Sequence, residues 1–199
     1  MKCGLAWGSG NAKTRGMGRV IQAKELWGSS TPALARWLLG KMLVRTDKRG
    51  SQACMITEVE AYHGERDLAC HASKGRTRRT EVMYQPGGVW YVYLCYGMHE
   101  MLNLVTGPVD HPAAVLIRGI AGISGPGRLT KALGIDRRWN AVTAEPRHGL
   151  HLEDHGVVVR RRFVVATPRI GVGYAGPEWS AKRWRFTYQE PRPCRIRSD

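Results

Sequence analysis

The spacing of apolar positions changes several times along the chain, and each change marks an element. In residues 29–44, SSTPALARWLLGKMLV, apolar side chains recur at helical spacing. Leu34, Trp37, Leu38 and Lys41 share a face, with Met42 adjoining. Ser30 or Thr31 can cap this helix, and Pro32 suits its first turn. The pattern predicts an amphipathic helix packed on a sheet. After a turn at residues 47–50 the period falls to two. In SQACMITEVEAY, residues 51–62, Glu58, Glu60 and Tyr62 fall on one face, with Thr57, Val59 and Ala61 on the other. A face carrying two carboxylates and a tyrosine is a poor core face and a good cleft face.

Residues 64–85 are polar and aperiodic and include Asp67, His71, Arg76, Arg78 and Arg79. A long loop of this kind is often functional. Next, VWYVYLC, the turn YGMH and EMLNLV predict a β-hairpin. Tyr91 and Tyr93 share one of its faces, and Tyr96 sits at its tip. AAVLIRGI, residues 113–120, is a nearly all-apolar strand interrupted by Arg118, which needs a carboxylate or a cleft to face. SGPGRLTKALGI, residues 124–135, is a glycine-rich turn into a short helix. The start of that helix offers free backbone N–H groups to an anion, or is a plain structural turn. Short strands surround a basic run at 160–162. The glycine-flanked IGVGYAG, residues 170–176, lets backbone approach a neighbour closely. One more strand precedes a basic tail. The expected organisation is a flexible basic arm at 1–19, one domain at 20–190 and the tail at 191–199.

Composition narrows the partners. A chain of 199 residues with 43% hydrophobic content suits one compact domain. Net charge is +15, which favours an anionic partner, nucleic acid or an acidic membrane surface. Seven Trp and seven Tyr against two Phe tilt the balance toward nucleic acid, where such rings stack on bases. The five Cys are irregularly spaced without a CxxC pair, so neither a disulfide framework nor a four-cysteine zinc site is expected. No signal-peptide core or membrane-length apolar run is present, so the expected location is the cytoplasm or nucleus.

The candidate chemistry is concentrated in residues 56–103. Glu58 and Glu60 on one strand face can serve acid–base work at a glycosidic centre, or can be a solvated or arginine-paired face. His63 and His71 make only a loose metal pair, with no third ligand at suitable spacing, so no metal site is expected. SGPGRLTKA loosely resembles the glycine turn of a helix-hairpin-helix, followed by Lys131, but its spacing is off by one.

The runs EVEAYHGERDLACHAS, PGGVWYVYLCYGMHEMLN, AVLIRGI, SGPGRLTKALGI and RIGVGYAG, in this order, resemble the alkyladenine (3-methyladenine, methylpurine) DNA glycosylase family. The resemblance covers residues 26–188. It implies a mixed α/β (α+β) domain around a curved, mostly antiparallel sheet with a protruding hairpin. It also implies a monofunctional enzyme that flips alkylated or deaminated purines out of duplex DNA and hydrolyses the N-glycosidic bond. No cofactor is implied, and the expected assembly is a monomer. Glu60 matches the general base and Arg118 the arginine that positions its water and holds Glu60 ionised. Tyr62 and Tyr93 match the rings that sandwich the base, where a cationic purine gains from the ring faces. His71, Asn103, Leu116 and Val172 match the rest of the pocket, and Tyr96 the side chain that fills the vacancy in the duplex. Arg76 and the helix start with Gly125, Gly127 and Lys131 would hold phosphates. Thr80 and Tyr84 depart from the bacterial pattern, which has Asn and Phe there. Three rival readings are a glycosylase-lyase using Lys131 as an amine nucleophile, a DNA-distortion binder without activity, and a membrane-surface protein, which the aromatic placement and the missing amphipathic basic helix disfavour.

Overall fold

The computed structural model describes residues 18–27 and 30–189. The expected basic arm, apart from its last two residues, and the basic tail lie outside the described residues. Arg19, at the arm's expected end, is already in a strand.

Among the described residues, ten antiparallel strands form one sheet, ordered β1-β8-β2-β3-β6-β5-β4, with β10, β9 and β7 attached beside that path. The strands are β1 (Arg19–Val20), β2 (Met42–Asp47), β3 (Gly50–His63), β4 (Trp90–Cys95), β5 (His99–Val105), β6 (Ala113–Ile120), β7 (Ile123–Ser124), β8 (Leu150–Asp154), β9 (Val164–Thr167) and β10 (Arg185–Tyr188). Three α-helices accompany them among the described residues: α1 (Thr31–Leu38), α2 (Pro126–Leu133) and α3 (Gly176–Ala181). The α+β class and the antiparallel sheet agree with expectation.

β3 is the backbone of the molecule. Its first half pairs with β2, and its second half lies between β6 and β10. One face of the sheet packs under α1 and α2 in a core that includes Leu34, Leu38, Val59, Trp90, Ile117 and Leu129. A second, smaller cluster, with Met83, Tyr84 and Tyr91, lies under the 64–85 loop.

The first helix is shorter than its pattern. It stops at Leu38, and residues 42–44, expected to continue it, open β2. Gly40 takes φ +80°, a left-handed turn that ends the helix, and a Cβ there would lie 2.6 Å from Val159 Cγ2. The strand Met42–Asp47 that follows then pairs with β3 and β8. Ser30 is the N-cap residue but makes no side-chain cap hydrogen bond. Within the 64–85 loop, His71–Lys74 and Glu81–Tyr84 form single 3-10 turns. The short helix α3 sits in a stretch the sequence pattern left unassigned. Among the described residues, no helix is long and apolar enough to cross a membrane.

Candidate active site

Two opposed bulges set up the site. Ile56 pairs with Ile120, Glu58 with Gly119 and Val59 with Ile117. Thr57 is therefore the extra residue on β3, and Arg118 the extra residue on β6. A bulge reverses the in–out alternation of a strand and re-aims a side chain. Here Ile56 and Ile120 join the core, while Glu58 and Arg118, also at even positions, face the other way. Beyond the bulges, Val59 and Ala61 return to the core and Glu60 and Tyr62 face with Glu58, as period two predicts.

The charged groups then interlock. Arg118 Nε donates to Glu58 Oε1 at 3.0 Å, and its Nη1 donates to Glu60 Oε2 at 3.4 Å. Arg185, from β10, donates to the same Glu58 oxygen at 2.7 Å. Glu60 is wholly buried, at 0% exposure. It also accepts from the Tyr62 hydroxyl at 2.8 Å and from the Ile170 backbone N–H at 2.8 Å.

These surroundings move the carboxyls apart. Glu58 is held below the usual range, because its two guanidinium partners outweigh its burial. Glu60 lies above the usual range: burial is the largest cause, and Arg118, Ile170 and Tyr62 offset it only in part. The expected effect of Arg118, holding Glu60 ionised, is one of several influences on this carboxyl. Arg118 lowers the pKa of Glu60, but desolvation of this buried carboxyl raises it more.

Beside this cluster lies an open cavity of about 500 Å³. Tyr62, His71, Tyr93, Asn103, Leu116, Arg118 and Val172, all named from sequence, line it, as does Tyr96 at its edge. Glu60 stands behind the wall, reached through Tyr62 and Arg118. His71 Nδ1 is 3.0 Å from the Tyr91 hydroxyl, and burial with nearby Arg79 lowers its pKa to about 4. The ring is therefore neutral at neutral pH. Asn103 donates to the Tyr91 and Met101 carbonyls at 3.1 and 3.2 Å. Tyr96 is 87% exposed at the hairpin tip, with φ +50°.

The remaining sequence candidates stand elsewhere. Arg76 pairs with Asp110, approaches Glu81 and lies over the Tyr84 ring. Tyr84 donates to Glu65 at 2.6 Å, so its hydroxyl has a definite partner where the bacterial pattern has Phe. Thr80, the other departure, is buried and accepts from the Thr77 backbone N–H at 2.8 Å. Gly125 and Gly127 start α2, whose Pro126 touches the cavity edge. Lys131 lines a separate polar hollow with Arg45, Asp47 and Arg49. His63 bonds Thr31 rather than joining His71. Among the described residues, no three His, Cys, Asp or Glu side chains could together hold a metal ion.

The sequence reading missed several contributors. Asp67 and Arg169 form a bidentate ion pair with both side chains 0% exposed. Arg169 lies against the Tyr62 ring, and the next residue supplies the N–H to Glu60. Arg79 lies over Tyr93, and the Tyr174 hydroxyl donates to the Ala69 carbonyl across the cavity mouth. In sequence the pair shows only as single charged residues within ERDLACHAS and PRIGVGYAG. Nothing in either run says that they meet.

The family model for methylpurine-DNA glycosylase (MPG) matches residues 25–192. The chain belongs to the methylpurine-DNA glycosylase family. It is thus a DNA N-glycosylase, a hydrolase of base excision repair acting on DNA. Among its curated relatives, one from Myxococcus xanthus is 47% identical over 171 residues, covering 78% of this chain and 84% of that protein. One from Methanocella arvoryzae is 43% identical over 194 residues, covering 87% and 94%. One from Psychrobacter cryohalolentis is 43% identical over 188 residues, covering 79% and 86%. Each is named "Putative 3-methyladenine DNA glycosylase".

Proposed function

We propose that this glycosylase flips alkylated or deaminated purines, of the 3-methyladenine, 7-methylguanine, hypoxanthine and ethenoadenine class, out of duplex DNA. It then hydrolyses their N-glycosidic bond with water as nucleophile. The observation that carries the reading is the buried, hydrogen-bonded Glu60 behind a tyrosine-walled cavity that opens beside an exposed hairpin tyrosine.

A base must leave the stack before C1′ can be attacked, at a cost of a few kcal/mol. Tyr96 fills the vacancy and offsets part of the lost stacking. Tyr62 and Tyr93 flank the base, with neutral His71 and Asn103 at its edge. Asn103 disfavours the amino group of normal guanine. Leu116 and Val172 close the pocket wall. Glu60 takes a proton from water as the water oxygen bonds to C1′ and the base departs with the bonding electrons. Its negative charge also stabilises the oxocarbenium-like sugar. Arg118 positions that water. Arg76 and the α2 start at Gly125, Gly127 and Lys131 hold phosphates and carry no sequence information. One copy of the chain suffices, because one chain supplies every group named.

Incubating the protein with a duplex carrying one hypoxanthine, then treating with alkali, tests this. Strand breaks are expected only after alkali, and Glu60→Gln should abolish nearly all of them. Equal base release by Glu60→Gln would sink the mechanism. Borohydride should trap no covalent adduct, because Lys131 lines another hollow; an adduct lost in Lys131→Ala would favour the lyase.

A further inference from the structure

The charges behind the cavity form an alternating row: Arg185, Glu58, Arg118, Glu60. Only Glu60 has a role in the reading above as the acid that meets water. We propose that Glu58 and Arg185 are positioning residues for the glycosylase reaction: Glu58 holds the Arg118 guanidinium and cancels one positive charge, and Arg185 balances Glu58.

The geometry supports this at each link. Glu58 is 5% exposed and, unlike Arg118, does not line the cavity. Oε1 accepts from both Arg118 Nε and Arg185 Nε, and Oε2 accepts from Ser124 at 3.4 Å. Arg118 therefore hangs by its Nε from Glu58 and reaches Glu60 with Nη1. Among the described residues its Nη2 makes no hydrogen bond, and the side chain lines the cavity. Bulges on both strands, at Thr57 and Arg118, create this arrangement, and a regular ladder would not. Gly119 lets the strands close here: a Cβ at that position would lie 3.1 Å from the Glu58 Cβ.

The charge arithmetic explains why a second carboxylate is useful. Arg118 beside Glu60 alone would leave the pair neutral in front of a sugar that becomes positive. Arg185 would then add a net positive charge in a region of little water, where it acts over a longer range. With Glu58 present the row of four sums to zero. Arg118 is shared between two carboxylates, so Glu60 keeps more of its negative field for the sugar. Glu58 also opposes the ionisation of Glu60. It trades some ease of ionisation for a stronger base.

The proposal rests on the glycosylase reading with Glu60 as base, and the test separates the two. Single-turnover excision of hypoxanthine at saturating enzyme is followed against pH for the full chain and for Glu58→Gln, Arg185→Gln and the double variant. Thermal melting and circular dichroism check that each is folded. Glu58→Gln should lose about tenfold or more in the rate, with its acid limb displaced to lower pH, because a negative neighbour of Glu60 has gone. Arg185→Gln should lose less, with its acid limb displaced to higher pH, because Glu58 is then unbalanced. Combining them restores neutrality, so the double variant should be faster than Glu58→Gln alone. Water entering a loosened site would lower the acid limb in both single variants, so opposite displacements distinguish positioning from damage. Limbs displaced in the same direction, unchanged limbs and rates, or a double variant slower than both singles would each overturn the proposal. If the unaltered protein releases no hypoxanthine, or if Glu60→Gln does, the underlying reading fails instead.

Discussion

A buried carboxylate depends for its charge on the groups that touch it. For Glu60 those contacts are the Tyr62 hydroxyl, the Ile170 N–H and Arg118, and together they fall short of cancelling its burial. The excision rate should therefore fall on the acid side with a midpoint above the ordinary carboxylate range. Tyr62→Phe keeps the ring but removes one donor to the charged form, so it should move that midpoint to higher pH. A pH–rate profile in which Tyr62→Phe moved the midpoint down would show that the hydroxyl is not what holds the charge. His71 carries the opposite kind of information. Its folded pKa, about 4, lies below its ordinary value of 6.5, so between those values the unfolded chain binds the proton and the folded one does not. Stability present above pH 6.5 is thus lost as pH falls toward 4. Melting temperatures across that window should decline for the native protein and decline less for His71→Asn.

At the level of elements, the β4–β5 hairpin holds its tip residue in an unfavourable backbone conformation. Tyr96 sits at φ +50°, where a bulky side chain is strained, and its ring is nearly all exposed. Tyr96→Gly should leave the melting point unchanged or slightly higher, by at most about 1 kcal/mol of strain relief. It should also weaken binding to lesion duplexes about tenfold or more, because it removes the stacking wedge. A melting point well below native would place Tyr96 among structural residues, and intact lesion binding would remove its role as a wedge. Such hairpins are legible in sequence because alternation and turn residues are local signals. Strand β3, with Glu60 and Tyr62 on one face, was legible for the same reason. The end of α1 was misread because residues 42–44 suit either a continued helix or a strand, and pairing with β3 and β8 decides between them. Paired bulges leave no local mark, since each is defined only against its partner strand. Hence Glu58 could not be told from a solvated acid, nor Asp67 and Arg169, 102 residues apart, matched across the chain. The resemblance named pocket residues that the cavity does bring together, whereas the ion pairs supporting them came only from the fold.

Over the whole molecule, charge divides into two populations that should respond differently to salt. Glu58, Glu60, Arg118 and Arg185 compensate one another in a largely buried cluster, as do Asp67 and Arg169 in the interior. These clusters are neutral, so the net charge of +15 comes from cations outside them. Binding to a polyanion by such cations releases condensed counterions, and log affinity falls against log salt by roughly 0.9 for each phosphate neutralised. About six contacts would cost about a thousandfold between 50 and 200 mM salt. Because phosphate contacts carry no sequence or lesion information, undamaged and hypoxanthine duplexes should lose affinity in parallel. Their ratio should stay nearly constant. The single-turnover excision rate, measured with every duplex bound, should also be flat over that range, since salt screens buried pairs far less than exposed charges. Anisotropy titrations with both duplexes, beside excision rates at saturating enzyme, measure the two populations separately. A rate that fell as steeply as the affinity would mean that exposed charges, rather than the buried cluster, support the chemical step.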